Sequence, residues 1–247
     1  LWLFTHKFLG LAFFLAGIHV LFINSDTSVN AGMKYYILTI TAVGLLAFVY
    51  RTLVGGVLIR HYEYTVNSVR VVAGNVTQLD MIPIKDKMMY KPGQFVFVRF
   101  RNTGTKLSKE WHPFSISSGT NDGQLQLSVK GLGDYTNFLP QIQSGAIADI
   151  EGAYGRFTHT NINTLNQIWV AGGIGITPFL SMARSLPDNG FRIDLYYSVK
   201  TASELIDWQD LYDIAMAKNG NFRIIPYIGE QQPTFLGADF IETTSGG

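Results

Sequence analysis

His112-Pro113-Phe114-Ser115 sets an imidazole, a φ-locked ring, a phenyl ring and a hydroxyl on four consecutive residues. Such a run can pack a ring against an isoalloxazine, offer the Ser115 hydroxyl to a flavin nitrogen, and fix the direction of the chain through Pro113. On residue types alone, His112 serves equally as an edge histidine and Phe114 as core. Further on, Lys130-Gly131-Leu132-Gly133-Asp134-Tyr135-Thr136 brings a cation, two glycines and the Thr136 hydroxyl close to a helix predicted over 135–139, a grouping that can hold a pyrophosphate. Val170-Ala171-Gly172-Gly173-Ile174-Gly175-Ile176-Thr177-Pro178-Phe179 then reads as a strand, a glycine turn and a helix start. Gly172, Gly173 and Gly175 allow positive φ and close backbone approach, so that a dinucleotide can lie against the helix N-terminus. Thr177 is predicted to cap that helix and Pro178 to take its first position. Each of these features is also found in ordinary tight turns and helix starts; together they imply a flavin site followed by a nicotinamide-nucleotide site.

The elements that must position these residues fall into three stretches. Over 61–160, residues 62–72 alternate as a half-buried strand, Lys91-Pro92-Gly93-Gln94 is a turn into the strand 95–100, and Gly123 separates the run 114–118 from the strand 125–130. Short strands between turns predict a small antiparallel β-barrel. Over 161–247 the rhythm becomes strand 167–171, helix 178–185, strand 192–199, helix 203–217, strand 222–228. That pattern predicts a parallel-sheet α/β domain with crossover helices.

The first sixty residues are of another kind. Residues 8–23, extended upstream by 1–4, are apolar apart from His19, and 35–59 is a second apolar run broken at Arg51. Both reach the length needed to cross about 30 Å of hydrocarbon. Lys7, Arg51 and Arg60 against Lys34 place the short loop outside and residue 60 onward on the cytoplasmic side. A histidine within a span is costly unless it faces a cofactor, a partner or water. His6 and His19 lie thirteen residues apart, about 19 Å along a helix axis, which suits two stacked haems, although thirteen steps do not bring both imidazoles onto one line of an ideal helix. Each haem would need a second axial ligand, and neither span carries another histidine.

Composition removes several alternatives. A formal net charge of +1 with scattered Lys and Arg gives no electrostatic footprint for nucleic acid. The absence of cysteine excludes disulfides, iron–sulfur clusters and thiolate zinc sites within this chain. No serine sits in a nucleophile elbow. The chain opens at Leu1 without the start region of a secretory signal and is expected to be part of something longer.

These residues together resemble the transmembrane ferric reductase and NADPH oxidase family, whose soluble half is similar to ferredoxin–NADP reductase. The family's His-Pro-Phe-Ser/Thr motif stands at 112–115, its Lys and Gly-Asp-Tyr/Phe-Thr element at Lys130 and 133–136, and its nucleotide loop at 172–178. Glu151 to Phe157 is similar to a Gly-Pro-Tyr-Gly turn with alanine for proline, and His6 to Gly10 with His19 is similar to the family's fifth membrane helix. The resemblance implies FAD at His112, Pro113, Phe114, Ser115, Lys130, Gly133 and Thr136. It implies NADPH or NADH at Gly172, Gly173, Gly175, Thr177 and Pro178, and haem iron at His6 and His19. Hydride would pass from NAD(P)H to FAD, then single electrons to an inner haem at His6 and an outer one at His19, with ferric iron or dioxygen as acceptor in a lipid-embedded protein. The preceding membrane helices and a late Cys-Gly-Pro element of the family are absent, so the nucleotide domain is expected to be truncated, stopping after three strands.

Lys200, after the second strand of that domain, could pair with a ribose 2′-phosphate or be an ordinary solvated lysine. Two other functions compete with transmembrane transfer: a membrane-anchored flavin-binding or regulatory module in which His6 and His19 are structural, and a tethered reductase serving a separate protein on its own side.

Overall fold

The computed structural model describes residues 2–22, 29–50, 59–105, 107, 109–232 and 234–245, without the side chains of 2–7. The chain divides into two units, Leu1–Arg60 and His61–Gly247.

The first unit is a pair of helices, α1 (Trp2–Phe22) and α2 (Ala31–Val49). Asn30 caps α2, its side chain accepting from the Met33 amide at 3.2 Å, so the helix begins four residues ahead of the expected apolar run. The expected continuation across 51–58 lies outside the described residues. The helices meet through small residues: Gly10 faces the Phe48 ring, Gly17 the Thr41 methyl, and Gly44 the Phe13 ring. A Cβ at Gly17 or Gly44 would stand 2.8 Å from the facing side chain, so glycine sets the close approach of the two backbones. Phe14, Leu15, Val43 and Leu46 are exposed on the outside. α2 is long and apolar enough to cross a membrane, and the apolar part of α1 with described side chains, Phe8–Phe22, is shorter than that criterion.

The second unit starts with six antiparallel strands: β1 (His61–Val72), β2 (Val76–Pro83), β3 (Phe95–Arg101), β4 (His112–Ser115), β5 (Leu125–Lys130) and β6 (Ile147–Tyr154). Their hydrogen-bonding order is β4-β3-β6-β1-β2-β5. The residue after β4, Ile116, bridges Leu127 on β5, and the Ser117 amide donates to the Gln126 carbonyl at 2.9 Å, so the two ends of the order meet. Val66, Leu79, Met81, Val96, Val98, Ile116, Leu127 and Ile150 fill the interior, as the period-two alternation requires. A short helix α3 (Asp134–Phe138) follows β5.

A parallel sheet, β7-β8-β9, completes the unit: β7 (Asn166–Gly172), β8 (Arg192–Val199) and β9 (Phe222–Ile228), with helices α4 (Thr177–Arg184), α5 (Trp208–Ala217) and α6 (Ala238–Thr244). The helix expected over 203–217 starts only at Trp208. Asp207 before it is left-handed at φ 49°, its carboxylate is held by the Gln78 amide, and the Ile206 N–H is taken by the Tyr197 hydroxyl. These tertiary bonds override local helix propensity.

Candidate functional site

β4 runs antiparallel to β3, with Val98, Phe97, Val96 and Phe95 opposite His112, Pro113, Phe114 and Ser115. Pro113 is exposed and lies on the strand that ends the hydrogen-bonding order, where a missing N–H is tolerated. α3 brings Tyr135 onto this strand. The His112 and Tyr135 rings stack with centroids 3.5 Å apart and planes 25° apart, and Phe114 lies near-parallel to both, 6.4 Å from His112 and 6.5 Å from Tyr135.

His112 Nε2 and the Tyr135 hydroxyl are buried without a hydrogen-bond partner; Glu110 Oε2, 3.7 Å from Nε2, is too distant for one. Burial lowers the His112 pKa, opposed by the Glu110 charge, and burial, with Glu110 adding to it, pushes the Tyr135 phenol up. Both groups are therefore neutral at pH 7. Orphaned polar atoms in a set of near-parallel rings fit a flat heterocycle carrying donors and acceptors at its rim, which describes a flavin.

Thr136 holds the turn that leads into α3: its Oγ1 accepts from the Leu132 and Gly133 amides at 2.9 and 3.1 Å. Lys130 ends β5 half-buried and lines a narrow crevice with Gly74, Gly173, Ile174, Tyr197 and Glu204. Residues from the barrel and from the glycine turn thus border one another.

The glycine turn is a 3₁₀ segment, Gly173–Ile176, between β7 and α4. Gly173 is left-handed at φ 50°, and a Cβ on Gly172, Gly173 or Gly175 would meet no atom within 4 Å. Packing does not call for glycine at Gly172 or Gly175, and at Gly173 only the positive φ does; an open backbone face of this kind suits close approach by a ligand. The expected cap is corrected. Thr177 is the first helical residue, with φ −54° and ψ −46°, and its buried hydroxyl donates to the Ile174 carbonyl at 3.1 Å, while Pro178 takes the second position. The 3₁₀ turn runs into α4 without an extended residue, so no cap site forms.

Beyond the turn a cleft of about 870 Å³ opens at the carboxyl ends of the strands, lined by Gly173, Lys200, Glu204, Tyr227, Glu230 and Phe235 among others. This is the edge at which open parallel sheets bind ligands. Apart from Gly173 and Lys200, these lining residues follow no spacing rule, because the strand ends that bring them together are separated by whole crossover units.

A second cavity, of about 410 Å³, lies on the barrel, lined by His61, Glu63, Lys85, Arg99, Arg101 and Asp149 among others. Asp149 accepts from Arg99 and from Arg101 at 2.7–2.8 Å. Burial would raise its pKa, but the hydrogen bonds from Arg101 and Arg99 hold the carboxyl below the usual range. Trp111 stacks on His61 at 5.2 Å and lies under the Arg99 guanidinium at 4.8 Å. No periodicity points to this group; its members come from three strands and a loop.

The His6 side chain lies outside the described residues, and His19 is exposed on α1. Among the described residues no group of three or more His, Cys, Asp or Glu could hold a metal. Among the described side chains of α1 and α2, His19 is the one imidazole.

A barrel bearing a flavin motif joined to a parallel sheet with a glycine turn defines a flavin–nicotinamide reductase. A family profile described as an FAD-binding domain matches residues 61–168, and one described as an oxidoreductase NAD-binding domain matches 169–240. Ferric reduction oxidase 8, mitochondrial, of Arabidopsis thaliana is 33% identical over 145 residues, covering 51% of this chain and 20% of that protein. Respiratory burst oxidase homolog protein D of Solanum tuberosum is 30% identical over 157 residues, covering 53% and 18%. The gamma subunit of sulfhydrogenase 2 of Pyrococcus furiosus is 31% identical over 126 residues, covering 50% and 42%. The chain therefore matches less than half the length of these three relatives. In fold it is similar to ferredoxin-NADP+ reductase from Plasmodium falciparum, with TM-score 0.61 at 19% identity over 75% of this chain and 80% of that one. A cytochrome P450 reductase of Amycolatopsis gives TM-score 0.61 at 21% identity over 75% and 58%. The chain belongs to the family of NAD(P)H-dependent flavin oxidoreductases that includes the ferric reductases and NADPH oxidases.

Proposed function

We propose that the chain carries electrons from NAD(P)H to FAD and on, across a membrane, through haem to ferric iron or dioxygen. FAD would be held by His112, Pro113, Phe114, Ser115, Lys130, Gly133 and Thr136, and the nicotinamide nucleotide by Gly172, Gly173 and Gly175. Thr177 and Pro178 would shape the end of that turn. The observation that carries the reading is the shared crevice of Lys130 and Gly173, which sets the flavin motif's barrel beside the nucleotide turn. FAD, when bound, supplies two-electron hydride acceptance from NAD(P)H, giving NAD(P)+, and one-electron release to the next carrier.

This chain's residues would do the following. His112 and Phe114 orient the ring system, with His112 neutral and able to donate or accept one hydrogen bond at Nε2. Thr136 keeps the Leu132–Gly133 backbone in the shape the phosphate end requires. The glycine turn lets the nucleotide backbone approach, and the cleft at the ends of β7–β9 takes the adenosine half, with Lys200 against the 2′-phosphate and Glu204 and Glu230 opposing it.

Transfer onward through haem is proposed only with further ligands from outside the described residues, since His6 and His19 would supply one imidazole per haem. The length and apolarity of α2 and the glycine-mediated contact of α1 with α2 support a membrane hairpin, with the second unit on the cytoplasmic side. A second reading, a membrane-anchored flavin reductase without haem, is supported by the sequence of residues 1–60, in which His6 and His19 are the only histidines, so that neither is accompanied by a second axial imidazole.

An anaerobic absorbance spectrum of the intact membrane protein, before and after NADPH, tests both. Flavin bleaching followed by reduced-haem bands is expected. Bleaching without haem bands leaves the second reading, and no bleaching removes the hydride step.

A further inference from the structure

We infer that Arg184 is a positioning residue, which pins the segment following the flavin motif to the helix following the glycine turn and so sets the approach of nicotinamide to flavin. The inference rests on the proposed hydride step.

Arg184 ends α4, and its side chain is 15% exposed. Nη1 reaches into the barrel domain, donating to the Ser117 carbonyl at 2.7 Å and Gln126 Oε1 at 2.8 Å. Nε donates to Asp210 at 2.7 Å, and Nη2 lies 3.4 Å from Asp207. Asp207 in turn accepts from the Gln78 amide of β2, with both carboxylate oxygens at 2.8 Å. One guanidinium thus joins a carbonyl and an amide of the barrel to two carboxylates at the start of α5.

Neighbouring bonds fix the same seam. Ser181, fully buried on α4, donates to the Ser118 carbonyl at 2.7 Å, and the Thr120 amide donates to Ser185 Oγ at 3.0 Å. A Cβ on Gly119 would stand 2.9 Å from the Arg184 Cβ, so only glycine lets α4 sit this close. From the barrel side the Tyr90 hydroxyl donates to the Gly119 carbonyl at 2.6 Å. Residues 117–120 are therefore tied at every position, and the first of them is two residues past Ser115.

The other end of α4 opens on the glycine turn. Eight helical residues form a rod of about 12 Å, docked at Arg184 and carrying Gly173–Ile176 at its start. Rotation at the Arg184 end moves the turn relative to His112–Ser115. Hydride transfer depends steeply on such placement, a misplacement of about 1 Å costing on the order of 100-fold. A planar fork of five donors serves three acceptors in different directions and sets its charge beside a further carboxylate; lysine, with three donors on one nitrogen, cannot.

Arg184→Ala and Arg184→Lys in the full chain test this. Without cofactor, amide hydrogen exchange at residues 117–120 should accelerate at least tenfold in Arg184→Ala, while the β2–β5 ladder stays protected. Loaded with FAD, Arg184→Ala should be bleached by NADPH 10- to 100-fold more slowly in single turnovers, with FAD stoichiometry, dithionite reduction and NADPH Kd within threefold of the parent. Arg184→Lys should fall between. A bleaching rate within twofold of the parent, or a loss that tracks loss of FAD, overturns the positioning role. Should Arg184→Ala not fold, Arg184→Lys and Asp207→Asn carry the same criteria. A parent that NAD(P)H does not bleach overturns the proposed function and the positioning role with it, and the exchange data then decide only whether Arg184 holds the seam.

Discussion

His112 and Tyr135 stack at 3.5 Å between ring centroids although they stand twenty-three positions apart in the chain, and each carries a buried polar atom without a partner. An aromatic contact of this kind is worth about 0.5–1.5 kcal/mol beyond its buried area. Tyr135→Ala is therefore expected to destabilise the FAD-free protein by about 1 kcal/mol or more and, on the proposed function, to weaken FAD binding. Tyr135→Phe, which keeps the ring and removes an unsatisfied hydroxyl, should leave the stability of the FAD-free protein unchanged or slightly higher. Fluorescence titration with FAD and thermal unfolding would check the pair.

Two glycines with positive φ should respond differently to alanine. Gly93 has φ 89°, and a Cβ there would run into the Phe157 carbonyl oxygen, so Gly93→Ala is expected to cost about 3 kcal/mol or more. Gly173 has φ 50° and no atom within 4 Å of its Cβ position. Gly173→Ala should cost only about 1–2 kcal/mol of stability and show its main effect as weaker NAD(P)H binding. Thermal unfolding together with nucleotide titration separates the two.

Acid should weaken the fold through its buried histidines. His159 is 3% exposed, with Nδ1 unpartnered and Phe191 and Trp169 against its ring, and burial lowers its pKa. The unfolded chain then takes the proton more readily than the folded one. The stability is fully present above the unfolded value of about 6.5 and is lost as pH falls below it toward the folded value. His112 is shifted in the same direction. Urea midpoints measured at pH 8 and pH 5.5 should differ, and His159→Leu should reduce that difference.

Asp149→Asn would leave Arg99 and Arg101 facing a neutral amide in place of a carboxylate that is 6% exposed. The expected loss is about 2–3 kcal/mol, measurable by urea unfolding at pH 7. Because the Asp149 pKa is depressed in the folded state, its contribution is present above the ordinary aspartate value of about 3.9 and disappears as pH falls through the folded value. The variant's deficit should accordingly shrink as pH falls below about 3.9.

Lys200 lies in the cleft with Glu204 and Glu230. Lys200→Ala should raise KM for NADPH about tenfold more than KM for NADH, in line with one lost phosphate contact of about 1.4 kcal/mol. Steady-state kinetics with both coenzymes decides it; an unchanged ratio removes Lys200 from coenzyme choice.

Much of the framework could be read in order along the chain. The alternation at Tyr64 and Val66 and the 95–100 run stand where local pattern puts them because one face of each barrel strand is buried and the side-chain period is two, while the strand 192–199 is buried without alternation over 193–197 because a central parallel strand is covered on both faces. Local pattern failed where a distant group intervened. The helix start at Trp208 is set by Gln78 and Tyr197, and Thr177 turns inward because a 3₁₀ turn precedes it. Tyr135 was visible as part of a motif but not as the partner of His112, and nothing in the spacing of Arg184 marked it as a link between domains.

The sequence by itself determined the kinds of chemistry at hand: a proline-fixed ring motif, a glycine turn ahead of a helix, no thiols, and an apolar start with two histidines. These follow from residue type and short-range spacing, which the covalent chain carries directly. Only the tertiary structure decided which of these groups share space. It closed the barrel through Ile116 and Leu127, laid Tyr135 on His112, set Lys130 beside Gly173, and gathered Lys200, Glu204 and Glu230 at one sheet edge. Those neighbours are separated by whole strands and crossover helices, and their contact depends on how sheets close and helices dock, which no local pattern encodes.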